Sequence, residues 1–278
     1  MNRKHKKRRR GDRPKQSYLT PGPGRIAALD TLRGAAIVGM IVDHIAWVAG
    51  QPIEPGSVRL WTRISMPVFC CVMGYLLAGK DIPPKLWRGS DRIDQKKARS
   101  QPNWNRFGQI VLAALCVDII YFPFEGQFEI LVSLALTWLL WAALRSDMVW
   151  CVAAFLFFRL DPTAGGWGWA VLDYPLSLVV PCVALGMLHR HAGWRVAVAV
   201  AGTMAGVIVG SHVLGWALVP PPSSYVLVAA PAAVLLLEGA TRVPRWHLPP
   251  LEWIGRRPLT VYVVQYWVLL AVRYLASA

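Results

Sequence analysis

Residues 30–44 read Asp-Thr-Leu-Arg-Gly-Ala-Ala-Ile-Val-Gly-Met-Ile-Val-Asp-His and open a strongly apolar segment of the chain. Arg33 and His44 are separated by ten residues, and eleven helical steps of about 100° return almost to the starting face. Ionisable groups at membrane depth are costly, so they mark functional sites rather than lipid-facing surface. The stretch predicts a membrane helix, one stripe of which carries Asp30, Arg33, Ile37, Met40 and His44.

The composition predicts an all-α, polytopic integral membrane bundle. Hydrophobic residues make up 55% of the 278 residues, and charge is confined to short blocks, a distribution that argues against a soluble domain. About nine transmembrane helices are predicted, since several apolar segments are close to the ~20 residues that cross a bilayer. Two of the segments, 127–144 and 147–160, are short enough to be tilted, interfacial or one broken pair. The segments lie near 26–49, 58–79, 107–123, 127–144, 147–160, 169–188, 194–217, 224–240 and 258–276.

The charged blocks predict that the amino terminus is cytoplasmic. Residues 1–16 carry nine Lys or Arg against Asp12, and residues 80–106 carry eight against three acids. The loops expected on the opposite side, such as 50–57 and 122–128, hold almost no Lys or Arg. An excess of basic residues in alternate loops is typical of the cytoplasmic side of a membrane protein.

Two regions follow from this pattern. Residues 1–24 are interpreted as a basic cytoplasmic arm, and residues 25–278 as a single bundle in which 80–106 forms a basic cytoplasmic loop. The net charge of +15 also allows a nucleic-acid arm. However, residues 1–17 contain no aromatic side chain and the arm adjoins a membrane helix, so attraction to anionic headgroups is favoured and no nucleic-acid partner is expected. The five cysteines lie in apolar segments without a Cys-x-x-Cys pair, and no metal site is predicted.

The first helix carries two groups with different chemistry. His44 can accept a proton near neutral pH, whereas Arg33 can hold a phosphate or carboxylate through its planar fork. The two lie ~16.5 Å apart along a helix that rises 1.5 Å per residue. A structural explanation stays open beside the functional one, in which Arg33 pairs with Asp30 and His44 makes a helix contact.

Further ionisable residues are expected near the level of His44. Asp43 and Asp118 lie within apolar runs, which is the costlier position. Arg63 lies in the second apolar segment, where Pro67 removes a hydrogen-bond donor and predicts a bend. Acids at loop ends are more often simply solvated, and this group contains Glu125, Glu129 and Asp173.

These residues resemble known membrane acyltransferases. Leu29-Asp30-Thr-Leu-Arg33-Gly with His44 resembles the Arg-x₁₀-His motif of the acyltransferase-3 family, and also the opening of heparan-glucosaminide acetyltransferase-like proteins. The chain is still more similar to the F-pilin acetylase (TraX) family, and the ending, Gly255 to Gln265, looks like the last helix of related acetyltransferase-like proteins. Residues 130–250 match only in hydropathy. The segments that carry the TraX resemblance are Met40-Ile-Val-Asp43-His44, Arg63-Ile-Ser-Met-Pro67-Val-Phe69 and Tyr121-Phe-Pro-Phe-Glu125-Gly126.

The resemblance implies acyl transfer, in the first place of acetyl, from a coenzyme A thioester to a hydroxyl or amine of a pilin-like protein or a glycan. His44 would be the base and Arg33 would serve donor binding, while Arg63 and Glu125 match motif positions that suggest substrate binding. From their positions in the sequence, Asp43 is added to the catalytic set and Asp30 and Asp118 to the substrate-binding residues. Acetyl-coenzyme A or another acyl-coenzyme A would be a co-substrate, and no bound cofactor is expected. Gln265 stands where the last helix of relatives often carries histidine, which puts the role of that helix in doubt.

The expected location is the bacterial inner membrane, crossed several times. A transporter or flippase for an anionic or lipid-linked solute is the main alternative, because intramembrane charges also line transport pathways. Against it, the two halves of the chain show no inverted repeat. A non-catalytic membrane scaffold is a third reading. The sequence does not name the acceptor.

Overall fold

The computed structural model describes residues 26–54, 56–78, 103–144, 146, 147, 149–152, 154, 171–215 and 224–277. The basic arm predicted at 1–24 lies outside the described residues, as does nearly all of the loop at 80–106. Both remain predictions, and so does the division into arm and bundle. Most of the short segment expected at 147–160 is also outside the described part.

The described residues form helices and no strands, which confirms the all-α prediction. An isolated bridge between Phe128 and Leu172 ties two loops together. The helices, numbered here in chain order, are α1 Ala27–Val48, α2 Val58–Thr62, α3 Ser65–Ala78, α4 Trp104–Glu125, α5 Ile130–Leu144, α6 Leu176–Ala192, α7 Trp194–Val213, α8 Ser224–Val228, α9 Ala230–Arg242, α10 Pro249–Arg256 and α11 Pro258–Ser277.

Five helical stretches in the described part are long and apolar enough to cross a membrane. Two further apolar helices, α5 and α6, are shorter. The chain is therefore an integral membrane protein with several spanning helices. A total of about nine spans and a cytoplasmic amino terminus stay predictions. The five stretches are Ala27–Val48, Val58–Ala78, Trp104–Pro123, Trp194–Val213 and Pro258–Leu275.

The second apolar segment is broken rather than gently bent. A turn at Arg63 and Ile64 separates α2 from α3. Pro67 follows in the first turn of α3, where a backbone N–H has no partner within the helix and a proline ring fits. The break brings Arg63 to the end of a helix, against the loop that contains Tyr174.

Glycines set two close helix contacts in the core. A methyl group added at Gly74 of α3 would lie 1.9 Å from the carbonyl oxygen of Val183 in α6. A methyl group at Gly34 of α1 would lie 1.9 Å from the carbonyl oxygen of Leu251 in α10. Only glycine permits such an approach of two backbones, a common means of packing helices within membranes.

The short helix α10 is absent from the sequence prediction. It has eight residues and buries Glu252 and Gly255, while Trp253 on another face is 53% exposed. Its length and polarity hide it from a search for apolar runs, which require about 20 residues. It packs along the start of α1, and this contact positions Arg33.

Candidate functional site

A row of three cavities follows the stripe of α1 through the bundle. A large cavity of about 170 Å³ is lined by Arg33, and a middle cavity of about 10 Å³ is lined by Ile37 and Met40. A third, the histidine cavity of about 20 Å³, is lined by Met40 and His44. The stripe recognised in the sequence therefore faces internal space along most of its length.

Neighbouring cavities share walls, so the row is continuous in its lining. The large and middle cavities share Phe69, Leu134 and the start of α11 at Pro258 and Leu259. The middle and histidine cavities share Met40, Ile130 and Tyr262. A cavity needs ~10–15 Å³ for one water, so the two inner cavities are closed to larger groups until side chains such as Met40 move.

His44 is held at both ring nitrogens by the last helix. Nδ1 lies 3.2 Å from Nε2 of Gln265, and Nε2 lies 3.1 Å from the hydroxyl of Tyr266. The ring of Tyr266 is also packed against the imidazole, with centroids 4.7 Å apart. α11 therefore has a defined role, since Gln265 occupies a hydrogen-bonding position beside the imidazole.

Glu129 lies behind these tyrosines, in the loop that precedes α5, and is 1% exposed. Its carboxylate accepts hydrogen bonds from the hydroxyls of Tyr262 and Tyr266 and, at 3.0 Å, from the backbone N–H of Leu131. The sequence placed Glu129 among acids that are usually solvated. The structure instead buries it in contact with groups that touch His44.

Asp43 joins α1 to the broken second segment. Its carboxylate accepts a 2.8 Å hydrogen bond from the Thr62 hydroxyl and lies 3.7 Å from Arg59 Nε and 4.0 Å from Arg63 Nη2. Arg63 also donates to the hydroxyl of Tyr174. Asp43 and Arg63 both line the histidine cavity. Asp43 thus forms ion pairs with two arginines near the imidazole, and its predicted catalytic role stays a prediction.

Arg33 makes the ion pair with Asp30 that the structural explanation anticipated. Its Nε donates a further 2.8 Å hydrogen bond to the carbonyl oxygen of Gly255 in α10. Arg33 nevertheless lines the large cavity together with Arg106. Arg33 therefore forms the ion pair with Asp30 and also lies beside the large cavity. The ion pair with Asp30 holds its guanidinium in place.

Two predicted substrate-binding acids lie apart from the imidazole. Asp118 is 8% exposed and accepts the backbone N–H of Glu129 at 2.9 Å, which makes it a support for the loop that carries Glu129. Glu125 lies 3.9 Å from Arg273 of α11. Neither carboxylate lines the three cavities described above.

Burial perturbs the acids in the loops next to the site. It raises the pKa of Glu129 to about 8, although the hydrogen bond from Tyr262 acts in the opposite direction. It raises the pKa of Asp173 to about 6, opposed by the positive charge of Arg63. Acids with raised pKa values beside a histidine and a cavity are characteristic of functional sites.

Sequence reasoning missed Glu129, Tyr262 and Tyr266. Their local patterns are ordinary, because tyrosine in a membrane helix usually serves as an apolar body with a polar tip. The available signal was spacing on α11: Tyr262, Gln265 and Tyr266 follow the three- and four-residue rule for one helix face. That signal has meaning only once the face is known to contact His44.

A comparison with known protein families matches the part of the chain that contains this site. Residues 26–130 match the family model of an acyltransferase domain, of the acyltransferase-3 kind. The comparisons with curated proteins and with solved structures gave no match. The matched span runs from the start of α1 to the first residue of α5 and contains Arg33, His44, Arg63 and Glu129. The match covers less than half of the chain and supports an acyltransferase function in general.

Proposed function

We propose that the protein is a membrane acyltransferase that moves an acyl group, in the first place acetyl, from a coenzyme A thioester to a hydroxyl or amine. The acceptor would be a pilin-like protein or a glycan at the membrane. The observation that carries the proposal is the row of cavities along α1, with Arg33 at one end and His44 at the other, within the span that matches an acyltransferase domain.

The large cavity suits the donor. Arg33 and Arg106 supply positive charge beside it, while Phe69, Leu134 and Trp138 supply an apolar wall. An anionic coenzyme A would leave its nucleotide at the basic end and direct its arm along the stripe. The ~16.5 Å between Arg33 and His44, at 1.5 Å per residue, is comparable to an extended pantetheine arm.

His44 would be the general base at the far end. The acceptor's lone pair attacks the thioester carbonyl carbon, its proton passes to His44, and the carbon–sulfur bond breaks to release the thiolate. His44 then returns the proton to the sulfur, so that the products are the acylated acceptor and free coenzyme A. Such proton transfer contributes roughly 10²–10⁴-fold to the rate.

The lining of the histidine cavity suits a polar acceptor. Thr62, Ser65, Tyr174 and Arg63, whose side chains carry hydroxyl groups or a guanidinium, are among the residues that line it. These groups can bond to a sugar hydroxyl or an amine in the position where His44 would deprotonate it. The proposed location is the bacterial inner membrane, with the large cavity on the cytoplasmic side.

The proposal is tested with inverted membrane vesicles from cells that express the chain, supplied with radiolabelled acetyl-coenzyme A. Wild-type vesicles should transfer label to protein or glycan and release coenzyme A thiol. His44→Ala should lower both by about 10²–10⁴-fold, whereas the control His212→Ala in α7 should not. If His44→Ala transfers label at the wild-type rate, the catalytic assignment is wrong. If intact radiolabelled acetyl-coenzyme A instead accumulates in the vesicle lumen and no label is transferred, the transporter alternative is favoured.

A further inference from the structure

The hydrogen bonds around His44 have a consistent direction. The Gln265 amide nitrogen can only donate, so at 3.2 Å it requires a lone pair on Nδ1. Nε2 then carries the proton and donates to the Tyr266 oxygen 3.1 Å away. The Tyr266 hydroxyl in turn donates to Glu129 Oε1 at 3.3 Å. Two successive hydrogen bonds, the first to Tyr266 and the second from Tyr266, thus connect the imidazole to the buried Glu129.

The surroundings of Glu129 suit a negative carboxylate with a positive partner. Its oxygens receive N–H or O–H donors from Leu131, Tyr262 and Tyr266, the pattern of an acceptor-only group. Burial nevertheless raises its pKa to about 8, because a buried charge without compensation is costly. A positive charge formed on His44 would supply that compensation.

We propose that Glu129 is a positioning residue for acyl transfer, acting on His44 through Tyr266 to hold the imidazole tautomer and stabilise the imidazolium. The inference rests on the proposed function of His44. In the resting arrangement Gln265 occupies the basic Nδ1, and its Oε1 is buried without a hydrogen-bond partner among the described residues. The acceptor's X–H group replaces this amide at Nδ1.

The step balances without a further reactant. The acceptor atom X forms a bond to the thioester carbon, and its proton moves to Nδ1 of His44. The imidazolium keeps its other proton on Nε2, bonded to Tyr266, whose hydroxyl proton bonds to the Glu129 carboxylate. When the carbon–sulfur bond breaks, the thiolate takes the proton back from Nδ1, and Glu129 ends the cycle unchanged.

Other charged groups also surround the imidazole. Asp43, Arg59 and Arg63, which lie on α1 and the broken second segment, act electrostatically on His44, and Asp118 and Asp173 act in the same way on Glu129 from α4 and the loop before α6. Glu129 differs from these in being joined to His44 through a shared tyrosine. Its removal should therefore alter catalysis in a way that depends on Tyr266.

The test compares Glu129→Gln, Tyr266→Phe and the double variant in the vesicle assay. Each single variant should lower kcat by ~10–100-fold, as expected for losing a hydrogen bond to a charged group, with the KM for acetyl-coenzyme A unchanged. The double variant should be no slower than the single variants, because both break the same connection. Tyr274→Phe, on the exposed face of α11, is the matched control and should keep the wild-type rate.

The pH–rate profile separates this role from a structural one. Because Glu129 compensates the imidazolium only when it is ionised, wild-type kcat should rise as pH passes the pKa of Glu129 at about 8. That rise should be absent in both single variants, whereas a merely loosened fold would lower the plateau and leave the rise in place. Wild-type kcat in Tyr266→Phe, or additive losses in the double variant, would overturn the inference. If those results occur while His44→Ala is inactive, the proposed function stands and only the role of Glu129 fails.

Discussion

The contact between Gly34 of α1 and α10 provides a quantitative test of how Arg33 is held. In Gly34→Ala the added methyl group would lie 1.9 Å from the carbonyl oxygen of Leu251, whereas ordinary contact begins at 3.4 Å, so α10 must retreat by about 1.5 Å. This movement of α10 also displaces Gly255, whose carbonyl oxygen accepts the 2.8 Å hydrogen bond from Arg33 Nε. The hydrogen bond between Arg33 and Gly255 is lost before α10 has moved the full distance.

Two effects should follow from this displacement. Overpacking of this kind costs ~1–3 kcal/mol of stability, and a misplacement of about 1 Å can cost ~10²-fold in rate even when the substitution lies away from the reacting atoms. Gly34→Ala should therefore fold, with a lowered thermal transition in detergent, and its kcat/KM for acetyl-coenzyme A should fall about a hundredfold. Most of that loss should be a raised KM for acetyl-coenzyme A if Arg33 serves the donor.

Gly202→Ala in α7 is the matched control, because a methyl group there meets nothing within 4 Å. It should retain activity and gain a little helix stability, up to ~1 kcal/mol. Gel filtration and thermal unfolding would show that both variants are folded before their rates are compared. Wild-type stability and wild-type donor KM in Gly34→Ala would refute the argument that α10 positions Arg33.

Further predictions address the donor, the orientation and the pH dependence. Arg33→Lys should raise the donor KM about tenfold or more, since lysine keeps the charge but loses the planar fork that anions bind; a KM equal to wild type would show that Arg33 has a structural role and does not bind the donor. A cysteine in place of Arg245, in the loop before α10, should resist a membrane-impermeant thiol reagent in intact cells, whereas one in place of Gln51 should react, and the reverse pattern would invert the proposed sides. Burial raises the pKa of Glu129 from 4.5 to about 8, so the stabilising contribution of its proton is fully present below 4.5 and is lost as pH rises through about 8. Thermal unfolding of wild type should accordingly show a decline in stability over that window that Glu129→Gln flattens, and an unchanged slope would contradict the assignment.

Much of the candidate site could be read from the sequence because it lies on one continuous helix. Helical periodicity alone places Arg33, Ile37, Met40 and His44 on one face, and the cost of charge within an apolar run predicts that this face is functional. The apolar segments likewise predicted the long helices near the residues where they occur, among them α1 at Ala27–Val48 and α11 at Pro258–Ser277, but not α10. These features depend on neighbours within about four residues along the chain.

Tertiary structure decided the partners of that face. Glu129 is 133 and 137 residues away from Tyr262 and Tyr266, and His44 meets Gln265 across 221 residues. Periodicity carries no information about which distant helix packs against a stripe. The packing of α10 depends on backbone contact at Gly34 and Gly255, and the burial of Glu129 depends on the loop that Asp118 supports. The candidate site thus combines residues of one helix with residues far away along the chain. The sequence predicts the residues of the helix, whereas only the tertiary structure shows the distant ones.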